Sequence, residues 1–342
     1  MSTKIIEIGY KGIGQSWCRT IQASTDCQLV GIVDTDEEVR LLAESATGRP
    51  VFSSIAEAKA SVGPDAAVIA SPSFTHADVV RDCLKHRLHV LVEKPFALDL
   101  IQARRLVEDA ERDGLILLVS QNCRYHVESC AVRGFIREGK MGQVGLVRIE
   151  GFNLADVGGA NYRCRLANPH LWEMAIHQLD LLRFLFDCDV ERVFCALHNP
   201  SWSWYQSSAC THIWLELSNG VKVNYLGTYV TRGPESTWDN TWRIEGTDGT
   251  LLWNDLPEVT LAYVSEPKAE VEVLSVEPLP HADLDGTLNE LIQAIRRGSA
   301  EKCSGRDNLK SLAICSACEI SAQQRRVVEL VEVLEENEKL AK

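Results

Sequence analysis

Residues 4–14, KIIEIGYKGIG, decide the fold of this chain. Lys4 to Ile8 form a short β-branched run, and a helical pattern follows the glycines from Gln15 to Ala23. Strand, glycine-rich turn and helix stand in the order that a dinucleotide site requires, because such a turn lets a phosphate approach the N–H groups that open the helix. A glycine-rich turn without a ligand is the alternative. The candidate cofactor-binding residues of this turn are Gly9, Lys11, Gly12, Ile13 and Gly14.

An acidic residue after the second predicted strand strengthens the cofactor interpretation. The strand runs from Gln28 to Val33, and Asp34 stands 20 residues beyond Gly14, a spacing that suits an acid bonded to an adenosine ribose. A carboxylate accepts from a ribose 2′-hydroxyl but repels a 2′-phosphate, and we expect no arginine nearby to receive one. Lys11 stands where the usual motif has a glycine, and a lysine there can pair with phosphate. The sequence therefore favours NAD over NADP.

Short apolar runs alternate with helical patterns through the first third of the chain. Three of these runs are Ala66–Ala70, Val90–Val92 and Leu115–Val119. Strands of this kind, separated by helices, are typical of a parallel sheet that is covered on both faces. Residues 1–122 are therefore predicted to be an α/β, doubly wound Rossmann domain that binds NAD.

The pattern changes from residue 123 onward to longer strands, several of which alternate apolar and polar residues. Turns at 218–220 and 247–249 connect neighbouring strands as hairpins, and a late strand is predicted over 269–276. Residues 123–342 are therefore predicted to form an α/β domain that is built on an open, mostly antiparallel sheet and serves in substrate binding and oligomerisation.

Polar residues directly after the parallel strands are candidates for function, because ligands bind at the carboxyl ends of such strands. Glu93-Lys94 follows the run Val90–Val92. A Glu-Lys pair in a loop is more often solvated than catalytic, but the position at the ligand edge favours a functional role. The other candidates at this edge are Ser71, Pro72, His76 and Gln121, and together with Glu93 and Lys94 they are expected to contact the cofactor.

A helix predicted from Asn168 to about Phe186, with Asn168 as its cap, is apolar nearly all round. Glu173, His177 and Asp180 recur within it at i, i+4 and i+7, which places all three on one stripe. A single buried histidine is usually a satisfied core residue, but two carboxylates and an imidazole aligned together favour proton handling.

Composition excludes several classes of partner. The chain has 342 residues, with 35 Lys plus Arg against 48 Asp plus Glu, a net charge of −13 that repels nucleic acid and anionic membranes. No apolar stretch is long enough to span a bilayer, and the start lacks the pattern of a signal peptide, so we expect a cytoplasmic protein. The 12 cysteines are scattered, and we expect buried, reduced thiols and no metal site.

Taken together, these motifs resemble the glucose-fructose oxidoreductase, inositol dehydrogenase and rhizopine-catabolism (Gfo/Idh/MocA) family, and the resemblance spans nearly the whole chain. The most specific motifs are Glu93-Lys94-Pro95 and His177-x-x-Asp180. The resemblance implies a Rossmann domain, a second domain with an open antiparallel sheet, and oxidation or reduction of sugars and polyols with a nicotinamide cofactor. The family commonly has Asp where Glu173 stands, and Gly at the places of Lys11 and Ala175.

The resemblance also implies roles for particular residues. Lys94 would be the general acid/base that contacts the substrate hydroxyl, His177 the second catalytic residue and Glu173 its partner. Glu93 would shape the cofactor loop. Residues expected to bind substrate are Lys94, Arg124, Tyr162, Arg163, Glu173 and His177.

The predicted function is an NAD-dependent dehydrogenase or reductase of a sugar, inositol or related polyol. Two alternatives stay open: a glycosidase that uses NAD for a transient oxidation, and a non-catalytic NAD-binding regulatory protein. The aromatic residues of 202–205 either stack on a sugar or pack the sheet. Because an open sheet face is often buried by another subunit, we expect a homo-oligomer, a dimer or tetramer, formed through the second domain's sheet.

Overall fold

A computed structural model describes residues 2–256, 259–266 and 270–341 of the chain. The strands are β1 Thr3–Ile8, β2 Cys27–Val33, β3 Val51–Phe52, β4 Ala66–Ile69, β5 His89–Glu93, β6 Leu117–Ser120, β7 Val144–Phe152, β8 Val190–His198, β9 Cys210–Leu217, β10 Lys222–Thr228, β11 Thr241–Gly246, β12 Gly249–Leu256, β13 Val259–Ser265, β14 Glu270–Val273 and β15 Val328–Glu329. The helices are α1 Ile13–Ala23, α2 Glu37–Thr47, α3 Ile55–Val62, α4 His76–Lys85, α5 Leu100–Arg112, α6 Val127–Arg137, α7 Ile176–Phe186, α8 Asp283–Arg297, α9 Gly305–Gln324 and α10 Leu330–Ala341.

The first of two compact units is a six-stranded sheet with the strand order β3-β2-β1-β4-β5-β6. All neighbouring strands in it are parallel. The four residues of β4 are buried, as expected for a central strand with helices on both faces. This confirms the predicted doubly wound fold.

The first unit comprises residues up to 125 together with 280–309, which differs from the single predicted boundary after residue 122. The physical reason lies in α8, whose Leu288 and Leu291 belong to the same buried apolar cluster as Ile5 and Leu29. The segment that follows α8 also supplies a backbone acceptor to β6, since Val119 N donates to Cys303 O over 2.9 Å. Local sequence patterns did not indicate this return of the chain.

The second unit, residues 126–279 and 310–339, holds a nine-stranded sheet with the order β14-β13-β12-β11-β7-β10-β9-β8-β15. Among the described residues of this sheet, β7 and β10 are the one parallel pair, and the other neighbouring strands are antiparallel. This confirms the predicted mostly antiparallel sheet. The late strand predicted over 269–276 is the shorter β14, and Ala269 lies outside the described residues.

The helix predicted from Asn168 contains a π-helical turn at Leu171–Ala175 before α7 begins. Asn168 does not cap this helix with its side chain, because its Oδ1 accepts from Ser207 Oγ over 3.4 Å while its Nδ2 donates to Glu319 Oε1 over 2.7 Å. A π turn inserts a residue into the helical repeat, and such turns are frequent at functional sites. Further along the helix, the Asp180 carboxylate accepts from Ser311 Oγ over 2.7 Å.

The search of the described part of the chain found no helix that combines the length and the apolar composition needed to cross a membrane.

Candidate active site

The glycine turn of the first unit lies between β1 and α1 and leaves no room for side chains at two places. Gly9 has φ +100°, and a Cβ at Gly14 would lie 2.0 Å from the Gly9 carbonyl oxygen. A Cβ at Gly12 would meet no atom within 4 Å, so this side of the turn is open. Neither a side-chain cap nor an acidic residue is present in the first turn of α1. Open backbone N–H groups at a helix start fit the phosphates of a dinucleotide.

Lys11 and Ile13, the other two predicted residues of the turn, are exposed. The Lys11 ammonium forms an ion pair with Asp36 over 3.0 Å, and both side chains are well exposed to solvent. In this conformation Lys11 is engaged by Asp36, the residue that caps α2.

Asp34 directly follows β2, at the position expected for an acid that binds a ribose. Its Oδ2 accepts from Tyr10 N over 3.1 Å, and its Oδ1 accepts from Asp36 N over 3.0 Å. The expectation that no arginine lies nearby is wrong: Arg40 Nη1 donates to the carbonyl oxygens of Asp34 and Thr35 over 2.9 and 3.1 Å. The first turn of α2 brings Arg40 back to the strand end, which the linear spacing concealed.

Further predicted positions follow β4 and β6 at the same edge of the sheet. Ser71 and Thr75 join their hydroxyls over 2.7 Å, and the Thr75 hydroxyl donates to the carbonyl oxygen of Pro72 over 2.7 Å. Gln121 is 1% exposed, and neither atom of its amide has a hydrogen-bond partner among the described residues. A buried amide of this kind is able to bind a polar group of a ligand.

Glu93 and Lys94 stand at the end of β5 in contrasting environments. Lys94 is the only residue of 90–97 that is not buried. Glu93 is buried, and Trp17 Nε1 donates to its Oε1 over 2.9 Å. Burial raises the pKa of the Glu93 carboxyl, while the charge of Lys94 and the hydrogen bond from Trp17 act in the opposite direction.

A second buried acid, Glu7 on β1, lies under the glycine turn and was not anticipated. Its Oε1 would be 2.6 Å from a Cβ at Gly14, and this oxygen atom has no hydrogen-bond partner in the described structure. Burial, followed by the charge of Asp34, raises the pKa of the Glu7 carboxyl well above its usual value. The neutral form of Glu7 is thereby favoured beneath the turn.

In the second unit, Glu173 lies in the π turn and is only 4% exposed. Arg163 Nε is 3.5 Å from Glu173 Oε2, and its Nη1 is 3.6 Å from Asp156 Oδ1. Tyr205 donates its hydroxyl to Asp156 Oδ2 over 2.9 Å. The aromatic residues of 202–205 therefore reach the Arg163 cluster through Tyr205, with Asp156 as a partner that the sequence pattern did not reveal.

His177 is the second residue of α7 and is 2% exposed. The ring of Trp238 meets it edge-on, with 5.9 Å between ring centres, and Trp238 is 55% exposed. Trp238 lies between strands in a polar segment, so no periodicity marked it. An exposed indole beside a buried imidazole offers a flat apolar surface to a ligand.

Two predicted substrate-binding residues are engaged by neighbours in their own units. Arg124 Nη2 forms an ion pair with Asp307 Oδ2 over 2.9 Å in the first unit, and the Arg124 side chain is 11% exposed. In the second unit the Arg163 guanidinium lies 5.4 Å from the ring centre of Tyr162.

Comparisons with known proteins agree with this architecture. A family model described as an oxidoreductase family with an NAD-binding Rossmann fold matches residues 3–121, and the model of the GFO/IDH/MocA C-terminal domain matches residues 130–252. D-apiose dehydrogenase of Paraburkholderia graminis is 28% identical over 318 residues, covering 89% of this chain and 83% of that protein. Myo-inositol 2-dehydrogenase of Thermotoga maritima is 23% identical over 336 residues, covering 96% and 98%.

A solved structure with a similar fold is an oxidoreductase from Agrobacterium radiobacter in complex with NAD⁺, L-tartaric acid and magnesium. It superposes with a TM-score of 0.86 at 22% identity, covering 97% of this chain and 99% of that one. The two family models together match well over half of the chain. This chain therefore belongs to the Gfo/Idh/MocA family of oxidoreductases, and its first unit is an NAD-binding Rossmann domain.

Proposed function

We propose that this protein transfers a hydride between NAD and a hydroxyl-bearing or keto carbon of a sugar, inositol or related polyol. The observation that carries the proposal is the position of Lys94, a partly exposed ammonium in an otherwise buried run at the carboxyl end of β5. Ligands bind at this end of parallel strands, so Lys94 is offered to whatever the sheet edge holds. The names of the relatives, among them a D-apiose and an inositol dehydrogenase, support the substrate class.

Bound nicotinamide supplies the acceptor or donor of the hydride. Oxidation of a C–OH group also releases the hydroxyl proton, and a base within hydrogen-bond reach must take it. We assign this proton to Lys94 Nζ, with His177 as the second member of the acid/base pair. Glu173 is the partner of His177 in this assignment, and Arg163 supplies positive charge beside the Glu173 carboxylate.

Substrate-binding roles for Arg124, Tyr162 and Arg163 remain proposals. The role is best supported for Arg163, because its side chain is 38% exposed and lies against Glu173. The role is least supported for Arg124, because its Nη2 already forms an ion pair with Asp307. The first unit would hold the cofactor, and the second unit would supply most of the substrate contacts.

The test is NADH formation by the purified protein across a panel of inositols, pentoses, hexoses and sugar acids, each run with NAD and with NADP. We expect NADH with at least one polyol or aldose. Release of the aglycone from an added aryl glycoside, without net NADH, would instead favour the glycosidase that oxidises its substrate transiently. NAD binding without turnover of any compound would favour the regulatory protein.

We further propose that one face of the nine-stranded sheet is covered by a second copy of the chain. A cross-strand row on this face, none of whose members is buried, comprises Phe194, Trp214, Asn224, Arg148 and Arg243. The face also carries charges of both signs, including Arg243 with Glu245 and Arg192 with Glu216. A mixed pattern of this kind can complement itself across a two-fold axis.

Light scattering after size exclusion is expected to give the mass of a dimer or tetramer. Phe194, 41% exposed, is the apolar residue of the row that we would change. Phe194→Glu is expected to lower the mass toward that of the monomer, because it places a charge in the contact. Leu42→Glu, at an exposed leucine of α2 in the first unit, serves as the matched control. A monomeric native protein would contradict the proposal.

We also propose that the protein works in the cytoplasm. All 12 cysteines are free thiols, and most of them are buried, which is typical of proteins from a reducing compartment.

A further inference from the structure

We propose that His76 and Trp17 are positioning residues for Lys94: two buried side chains that hold the segment Glu93-Lys94-Pro95, one on each side of the lysine along the chain. The inference rests on the proposed role of Lys94 as the acid/base residue. It assigns His76, which the sequence suggested as a cofactor contact, a different task.

His76 uses both ring nitrogens on the protein backbone. Nδ1 lies 2.7 Å from the carbonyl oxygen of Pro95, and Nε2 lies 2.7 Å from the carbonyl oxygen of Ser71. The residue is 1% exposed. Because its ring is buried and occupied at both nitrogens, His76 can reach a ligand only through the loops that it joins.

The two contacts also bear on the protonation state of the His76 ring. Carbonyl oxygens only accept hydrogen bonds, and a neutral imidazole has a single N–H. Both bonds are therefore made only when both ring nitrogens carry protons. A charged donor makes a shorter and stronger hydrogen bond than a neutral one, so the cationic ring is the better clamp between Ser71 and Pro95.

Trp17 acts on the other side of Lys94. It lies on α1, is fully buried, and donates from Nε1 to Glu93 Oε1 over 2.9 Å. Rotation of Glu93 away from Trp17 would leave a buried indole N–H without its acceptor, which is unfavourable. The backbone is thus anchored at Glu93 by α1 and at Pro95 by α4, and Lys94 is the residue between the anchors.

The two anchors are expected to affect the position of Lys94 more than the binding of NAD. A base must lie within hydrogen-bond reach of the proton that it takes, and a displacement of about 1 Å can cost on the order of 100-fold in rate. Loosening either anchor should therefore lower kcat while the affinity for NAD, set largely by the glycine turn and Asp34, changes little.

The state of His76 is tested without any substitution, by two-dimensional ¹⁵N NMR of the histidine rings in the full-length protein at pH 7. We expect protons on both nitrogens of His76, with His76→Gln used only to assign the signal. A single protonated ring nitrogen would overturn the role given to His76.

The anchoring of Lys94 is tested by labelling the whole protein with acetic anhydride and comparing, by mass spectrometry, the acetylation of Lys94 with that of exposed Lys85 in the same sample. Trp17→Phe and His76→Gln are expected to raise the Lys94-to-Lys85 ratio about threefold or more, because the loosened segment exposes the amine. Trp253→Phe, at a buried indole of the second unit, and His89→Gln, at the opposite end of β5 from Lys94, are the matched controls. An unchanged ratio in folded Trp17→Phe and His76→Gln would overturn the proposal.

With a polyol that the native enzyme oxidises, the same two variants should lose about 10- to 100-fold in kcat, with KM and the dissociation constant of NAD within about threefold. A rise in KM with unchanged kcat would show a binding role and overturn the positioning role. Absence of NADH from the native protein would count against the proposed function alone, because the NMR and labelling measurements need no substrate.

Discussion

Replacing Lys94 by alanine is expected to lower turnover by about 10²- to 10⁴-fold, the usual contribution of a positioned acid/base group. The substitution removes the ammonium from the one residue of 90–97 that is not buried. Residues 90–97 contain no other lysine. The loss should appear in kcat and in kcat/KM alike, because the group acts in the transition state.

Affinity for NAD should be nearly unchanged in the same variant. The glycine turn and Asp34 belong to β1, α1 and β2, whereas Lys94 follows β5. Quenching of protein fluorescence by NAD measures this affinity independently of turnover. Lys85→Ala, which removes an exposed lysine at the end of α4, is the matched control and should retain full activity. Full activity in Lys94→Ala would remove Lys94 from the mechanism.

The second large effect is expected at Asp34. Asp34→Ala should weaken NAD binding by about 10- to 100-fold, since a hydrogen bond to a charged group is worth about 1.5–3 kcal/mol. Binding of NADP should weaken less or improve, because the carboxylate that repels the 2′-phosphate is gone. The preference for NAD should therefore fall, as measured by titrating both cofactors against the same protein.

Arg40 makes this experiment sharper. Its guanidinium lies against the carbonyl oxygens of Asp34 and Thr35, so a cation is already present at the strand end once Asp34 is replaced. We expect the gain for NADP in Asp34→Ala to disappear in the double variant Asp34→Ala/Arg40→Ala. Arg40→Ala alone should leave NAD affinity within about threefold. An unchanged cofactor preference in Asp34→Ala would contradict a ribose-binding role.

Local pattern was sufficient to predict the first sheet. The parallel strands contain short apolar runs, and functional positions are predicted just after them, as Asp34 follows β2 and Lys94 lies just beyond β5. The turn residues of the second sheet identified its hairpins for the same reason. These features depend on residues that are close in the chain, where periodicity and turn chemistry act.

The missed features depend on partners far apart in sequence. Trp17 reads as an ordinary apolar residue of α1 until its indole is found on Glu93, 76 residues later. Asp156 and Trp238 lie in irregular segments, and only the folded second unit brings them to Tyr205 and His177, respectively. The π turn at Leu171–Ala175 is equally invisible, because an apolar run has no polar phase that would reveal an inserted residue.

The return of α8 to the first sheet has a consequence for synthesis on the ribosome. The segment 280–309 of the first unit, which contains α8, is complete only 184 residues after residue 125 has been made. At about 5–20 residues per second, this interval lasts roughly 10–40 s. During that time the apolar side chains that α8 will cover, Ile5 and Leu29 among them, belong to an incomplete cluster. We therefore expect the nascent amino-terminal segment to expose apolar surface of the kind that chaperones bind, and early termination after residue 125 would leave it without α8.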